Sequence, residues 1–374
     1  MRIASLIAAL LLMAPACPAL GLDLGALRSY AFVASRSAGE VTVLDMRDAS
    51  VAGEVVLRRP AYQLAVREER GELVVGSLAD MRVAVIDLAS MREVRSVVLD
   101  HEPEHMQLSP SGDVLAVGNF YADALTLIDL DTMATRRVEG LSQPHNTLFS
   151  PDGARLYVAN LGSDRIGVVD VAHGALREML PVPREPEDTP GITSVMLSRD
   201  GRHIWAIPSA GSEVARLDVA SAERPRRDRV GPQPWRVAFT SDERLMITAN
   251  AGDQTLSLVD MARGREVARL DGTDTMEAIL PAWFDTTGFV TSRSTRSLLA
   301  IDLDKAAPLE PIALPGTPEA AVATPDRDAV VVALSEPAGV AFVDARERVV
   351  RKVIDDVVRD PFRIVTVGSR NICD

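Results

Sequence analysis

Cysteine is almost missing from this 374-residue chain, with Cys17 and Cys373 the only two. That excludes a Cys-x-x-Cys-His haem attachment and any cysteine-rich zinc or iron–sulfur site. Basic charge is in deficit as well: 40 Lys and Arg face 53 Asp and Glu, for a net charge of −13. A negative field opposes a phosphate backbone and an anionic lipid surface alike, and no basic stripe with interleaved aromatics occurs, so nucleic acid is not an expected partner. No long apolar run follows residue 13, which leaves no candidate transmembrane segment. The common catalytic signatures are lacking too: there is no Ser nucleophile elbow, phosphate loop or dinucleotide fingerprint, and the many glycines are accounted for by turns.

The chain opens on Met1-Arg2, an apolar stretch from Ile3 to Met13 and the small residues Ala14-Pro15-Ala16. That order is the pattern of a secretory signal peptide. Cleavage after residue 16 or 19 is expected, leaving 20–374 as a single domain in the periplasm. A cut after Ala16 would expose Cys17, but Pro15 fits a lipidation box badly, so a lipid anchor is the lesser alternative. A Cys17–Cys373 disulfide is conceivable if Cys17 survives processing; the plainer reading is a lost Cys17 and a free Cys373.

What the chain does contain is a repeat. In Pro144 to Val182 an apolar run leads into Pro151-Asp152-Gly153, a turn triplet, and then Leu156–Ala159 and Ile166–Val169 form a hairpin. Asp170 opens another turn before a fourth apolar run, making four short strands, A to D. Aligning on the aspartate that ends strand C gives Asp45, Asp87, Asp129, Asp170, Asp218, Asp260, Asp302 and Asp344. Eight four-stranded units of this period predict an all-β, eight-bladed β-propeller of antiparallel blades around a central channel. The first unit starts with strand B at Tyr30, and the chain ends on a lone strand A, Pro361 to Gly368. That strand is predicted to pair into the N-terminal blade and close the ring.

The LYVAN and SPDG segments, together with the apolar-V-x-D ending of strand C, resemble the YVTN family of bacterial β-propellers, from about Tyr30 to Gly368. Several blades depart from SPDG, at Ser198, Thr240, Phe284 and Thr324. Eight units, where seven are common in that family, also make the chain similar to the d1-haem domain of periplasmic cytochrome cd1 nitrite reductase. The motifs are specific for fold and poor for function.

Candidate sites follow from the register. His101-Glu102-Pro103-Glu104-His105 has the letters of His-Glu-x-x-His, but Pro103 and the extended register exclude the helix which that zinc site needs. The Pro-rich connector Pro181 to Gly191 is the one break in the period and lies where it could cover the channel mouth, although a solvated loop without a task is the commoner case. Aligned strand-A starts give one row of Tyr62, Glu104, His145, Thr193, Trp235, Glu277, Glu319 and Phe362. A second row is Gln63, His105, Asn146, Ser194, Arg236, Ala278, Ala320 and Arg363. A ligand site is therefore expected at a funnel formed by Glu104, His105, His145, Asn146, Trp235, Arg236, Glu277 and Glu319. A divalent metal could be held by Glu104, Glu277 and Glu319 with His105 or His145. The bland alternative is a water-filled channel rimmed by solvated polar groups. His173 and His203 read as solvent-facing, and Asn119, Asn160 and Asn250, at the ends of strands B, as turn formers.

Two functions compete. The favoured one is a non-enzymatic binding or scaffolding module, a monomer that meets a protein partner or small ligand at the mouth. The alternative is a cofactor-handling protein or enzyme: the d1-haem resemblance implies tetrapyrrole binding through His105 or His145, and other bacterial propellers are lactonases or lyases. Trp235 and Arg236 offer a stacking face and a fork donor, so a planar or anionic ligand suits the funnel better than an apolar one.

Overall fold

The computed structural model describes residues 22–182, 190–220 and 225–369. The expected signal segment, both cysteines and residues 183–189 of the long connector lie outside these. The described chain forms eight four-stranded antiparallel sheets, seven of them built from consecutive strands. In the fourth blade the strands are Pro144–Phe149, Arg155–Asn160, Arg165–Asp170 and Ala175–Pro181. The eighth sheet is the closure: Pro361–Thr366 pairs antiparallel with Tyr30–Ser35, placing Phe32 opposite Val365 and Val33 opposite Ile364. The predicted ring and its seam are both present. Among the described residues no helix is long and apolar enough to cross a membrane.

The recurring polar residues are turn chemistry. At the A–B turn Ser150 Oγ donates to Asp152 Oδ1 at 2.5 Å and accepts the Arg155 N–H at 2.9 Å, while Gly153 takes a φ of 71°. The departures from SPDG keep this pairing at Ser198–Asp200, Thr240–Asp242 and Thr324–Asp326. Glu243 and Arg327 replace the glycine and take left-handed φ themselves, of 57° and 60°. The aspartate ending strand C accepts backbone N–H groups of the next turn, as Asp170 does from His173 and Asp129 from Thr132.

Burial explains the rest of the pattern. Strands A to C are apolar and largely buried, whereas strand D alternates, as in Arg265–Asp271. The core sits between blades: Phe32, Leu64, Leu73 and Ile86 join the first and second, and Phe289, Val330 and Val332 the seventh and eighth. Each such side chain contributes about 1.5–3 kcal/mol relative to exposure, and no blade can bury both faces alone. Unforeseen in the sequence is a 3-10 turn, Leu24–Ser29, which seats Leu27 in the first interface and pairs Arg28 with Glu68 at 2.6 Å.

Candidate functional site

The two rows at the strand-A starts have separate fates. In the first, Tyr62, Glu104, Glu277, Glu319 and Phe362 are half-buried and Trp235 is exposed, whereas His145 and Thr193 are buried. In the second, every residue but His105 is buried. The second row reaches sideways instead of into the channel. Gln63 Nε2 donates to the Glu104 carbonyl at 2.7 Å, Asn146 Oδ1 accepts the Val195 N–H at 3.0 Å, and Arg236 Nε donates to the Glu277 carbonyl at 2.9 Å. Each bond ties one innermost strand to the next. Asn146 is thus an inter-blade clamp, and Arg236 is one in addition to any role at the mouth.

One side of the mouth carries the imidazoles. His145 Nδ1–H donates to the Thr193 carbonyl at 2.6 Å, and the His105 ring meets the His145 ring edge-on at 4.3 Å. Phe120 lies 5.3 Å from His145 and 4.0 Å from Tyr121, which is 79% exposed. Burial lowers the basicity of His145, and the Arg236 charge acts in the same direction against the opposing Thr193 hydrogen bond and Glu104 charge. Burial and then Glu102 raise the Glu104 carboxyl, while His145 and the Phe120 N–H oppose them; Glu104 Oε2 is buried without a hydrogen bond.

The other side carries guanidiniums. Arg236 reaches Glu277 Oε2 at 2.7 Å and lies 4.8 Å from the Trp235 ring centre. Glu319 accepts from Arg293 and from Ser335 Oγ, with Arg36 at 3.8 Å. Arg36 also covers the Phe362 ring at 4.9 Å, and that ring stacks on Tyr62 at 4.2 Å. The expected metal set is therefore not assembled. Glu277 and Glu319 are committed to different arginines, and among the described residues no three His, Cys, Asp or Glu side chains could together hold a metal ion. His101, the first residue of the false zinc motif, is buried against Thr126 Oγ1 at 2.9 Å, with no helix around it. His173 is solvent-facing as expected; His203 is half-buried beside Trp205. Asn119 and Asn160 bind the backbone of adjoining turns.

Four mouth residues were missed: Arg36, Phe120, Tyr121 and Arg293. A signal existed for three of them. Arg36, Phe120 and Arg293, each just after strand B, share one register position with Ser335, the last residue of its own strand B, and aligning the B–C connections on the same aspartates would have produced that row.

Two recesses, of about 440 and 490 Å³, lie along the channel toward the opposite end, where strands A finish. They share Leu197, Arg199 and the segment Val365–Ser369. The larger one extends up to Arg236 and Glu277 at the mouth.

A family model described as YNCE-like β-propeller matches residues 57–369. No curated protein matches the chain. Among solved structures, dihydro-haem d1 dehydrogenase NirN in complex with DHE is similar over 91% of this chain and 75% of its own, with a TM-score of 0.75 and 16% identity. Kuenenia stuttgartiensis hydrazine synthase is similar over 80% and 96%, with a TM-score of 0.56 and 16% identity. A functionally unknown protein from Desulfotomaculum acetoxidans is similar over 79% and 98%, with a TM-score of 0.57 and 11% identity. At these identities the likeness is one of fold.

Proposed function

This chain belongs to the YNCE-like β-propeller family, and from that premise we propose that it is a periplasmic binding module whose mouth takes a planar, anionic small molecule. One observation carries the reading: in a chain with only three Trp, four Tyr and eight Phe, five of these, Tyr62, Phe120, Tyr121, Trp235 and Phe362, gather at one end of the channel beside two imidazoles and the half-exposed guanidiniums of Arg36 and Arg293. Rings and guanidiniums together suit a flat ligand with acid groups. The contact residues of this reading are Glu104, His105, His145, Trp235, Arg236, Glu277 and Glu319, with Asn146 holding the strands beneath them.

A second reading, tetrapyrrole handling, is favoured by the His145 geometry and by the fold shared with NirN. An Nδ1–H bond to a backbone carbonyl fixes a histidine tautomer as metal-ligating histidines are fixed, so His145 is a residue that would hold such a group. A bound tetrapyrrole would supply its own redox chemistry; the chain would supply orientation and a water-poor floor. No geometry at the mouth favours a lactonase or lyase.

The test is purification from the periplasm without denaturation, followed by an absorption spectrum and native mass measurement. The wild-type protein is expected to carry a bound small molecule that is lost in the His105→Ala/His145→Ala double variant and weakened in Trp235→Ala, with circular dichroism unchanged. If all three proteins retain the same species, the mouth is not the site. Intact mass tests the compartment: a start at Cys17 or Leu20 is expected, and a retained Met1 or an acylated Cys17 would contradict a soluble periplasmic form.

A further inference from the structure

We propose that the turn end of the channel holds a second binding site, centred on Arg199 and away from the mouth imidazoles, for a small amphiphilic monoanion. Its acid group pairs with Arg199, and its apolar body lies along the lower inner strands.

The two recesses are lobes of one basin, because both are bounded by Leu197, Arg199 and Val365–Ser369. At about 440 and 490 Å³ each has the volume of an ordinary small-molecule site. The wall is apolar and incompletely covered. Val66, Leu108, Leu148, Phe239, Leu280 and Val322 face the basin and are only half-buried, whereas neighbouring residues such as Leu64 and Leu115 are fully buried. A ligand body that covered them would gain the transfer free energy which the empty channel forgoes.

Charge selects the ligand's sign. Seven guanidiniums and four carboxylates line the two lobes, in a chain that is acidic overall. Most of the guanidiniums are spoken for. Arg28 pairs with Glu68, Arg67 with Glu72 and Asp131, Arg70 with Asp131, Arg236 with Glu277, and Arg327 with Asp285. Among the described residues Arg199 makes no ion pair: only its backbone N–H is engaged, by Glu243 Oε1 at 2.6 Å, and its side chain is exposed where the lobes meet. A fork donor at the neck between two apolar lobes is the arrangement that holds an acid group and leaves its hydrocarbon inside. Glu243, whose Oε1 accepts the Arg199 N–H, and Glu69 in the other lobe repel a second negative charge, which restricts the ligand to a monoanion.

The probe is dodecanoate, a monoanion with no ring for the mouth to stack on, titrated into the full folded protein and followed by isothermal titration calorimetry and equilibrium dialysis. Saturable binding of one equivalent is expected, weakened by about tenfold or more in Arg199→Glu, the loss typical of a charge-assisted contact. The His105→Ala/His145→Ala variant is expected to bind the probe as wild type does, so failure here and failure of the mouth reading are distinguishable. Arg199 is exposed, and circular dichroism checks that its variants fold; Arg199→Gln serves if the Glu variant does not. No saturable binding, equal binding by the Arg199 variants, loss in the mouth double variant, or displacement by an equal concentration of inorganic sulfate would each overturn the proposal.

Discussion

The two ends of the channel are held together by different chemistry. At the turn end the blades are joined by charge: Arg67, its side chain 1% exposed, binds Glu72 at 2.6 Å and Asp131 at 2.9 Å, and Arg95 returns to Glu72 at 2.7 Å. Asp285 in the same way bridges Ser241 of one blade and Arg327 of another. At the mouth, side chains bonded to backbone, from Gln63, His145, Asn146 and Arg236, join neighbouring blades alongside the Arg236–Glu277 and Arg293–Glu319 ion pairs. The difference teaches where variation is tolerated. Buried clamps from Gln63, Asn146 and Arg236 hold the strands, and first-row positions are left to carry Tyr62, Trp235 and Phe362, rings that no such clamp uses.

The largest expected effect removes the element that both ends share. Pro361–Thr366 carries Phe362 and Arg363 toward the mouth and Ile364 to Thr366 along the basin, and it seals the first blade. Deleting residues 360–374 should open the ring, leave Tyr30–Ser35 as a bare edge and cause aggregation or a large fall in melting temperature. A truncated protein melting like the full chain would disprove closure by this strand.

Next is the turn-end network. Arg67→Ala leaves Glu72 with Arg95 alone and should cost at the low end of about 3–5 kcal/mol, read by chemical denaturation. The corresponding change at the mouth, Asn146→Ala, strands only the buried Val195 N–H and should cost about 1–2 kcal/mol. Equal losses, or a larger loss for Asn146→Ala, would break the contrast between charged and neutral joins.

The smallest effect is electrostatic and confined to the mouth. The folded state holds His145 below its ordinary value of 6.5, so its contribution to stability is complete above that pH and is lost as pH falls through the depressed value. Glu104 is raised above its ordinary 4.5, so its contribution is complete below that pH and is lost as pH rises through the raised value. On acidification from about pH 7 to about pH 5 the two therefore act oppositely. His145→Gln should remove the destabilising trend and Glu104→Gln the stabilising one. A melting profile unchanged by either substitution would show that neither group is perturbed.

Much of the fold was legible because a repeat states its own register. The strand-C aspartates fixed eight blades, and the missing strand A at Tyr30 matched the surplus strand at Pro361. The mouth was legible only as a list of positions. Period-two alternation does not say which row turns toward a channel, so Asn146 and Arg236 were read beside Glu104 although they point into the next blade. Nor does alignment reveal a charge's partner: Glu277 and Glu319 looked like companions until Arg236 and Arg293 were seen to hold them apart. The basin was invisible, because its apolar wall has the same letters as packed core and only three dimensions show Val66 and Leu108 half-covered.

The central claim, that the mouth binds a planar anion, is tested most directly by titrating the purified protein with protoporphyrin IX and following tryptophan fluorescence. Among the described residues Trp235 is the exposed tryptophan at the mouth, 43% accessible, whereas Trp205 is buried in a blade interface and Trp283 is half-buried at a turn. The account predicts saturable quenching that is lost in Trp235→Ala, weakened in the His105→Ala/His145→Ala variant and unaffected by Arg199→Glu. Absence of quenching, or quenching that survives both mouth substitutions, would contradict it.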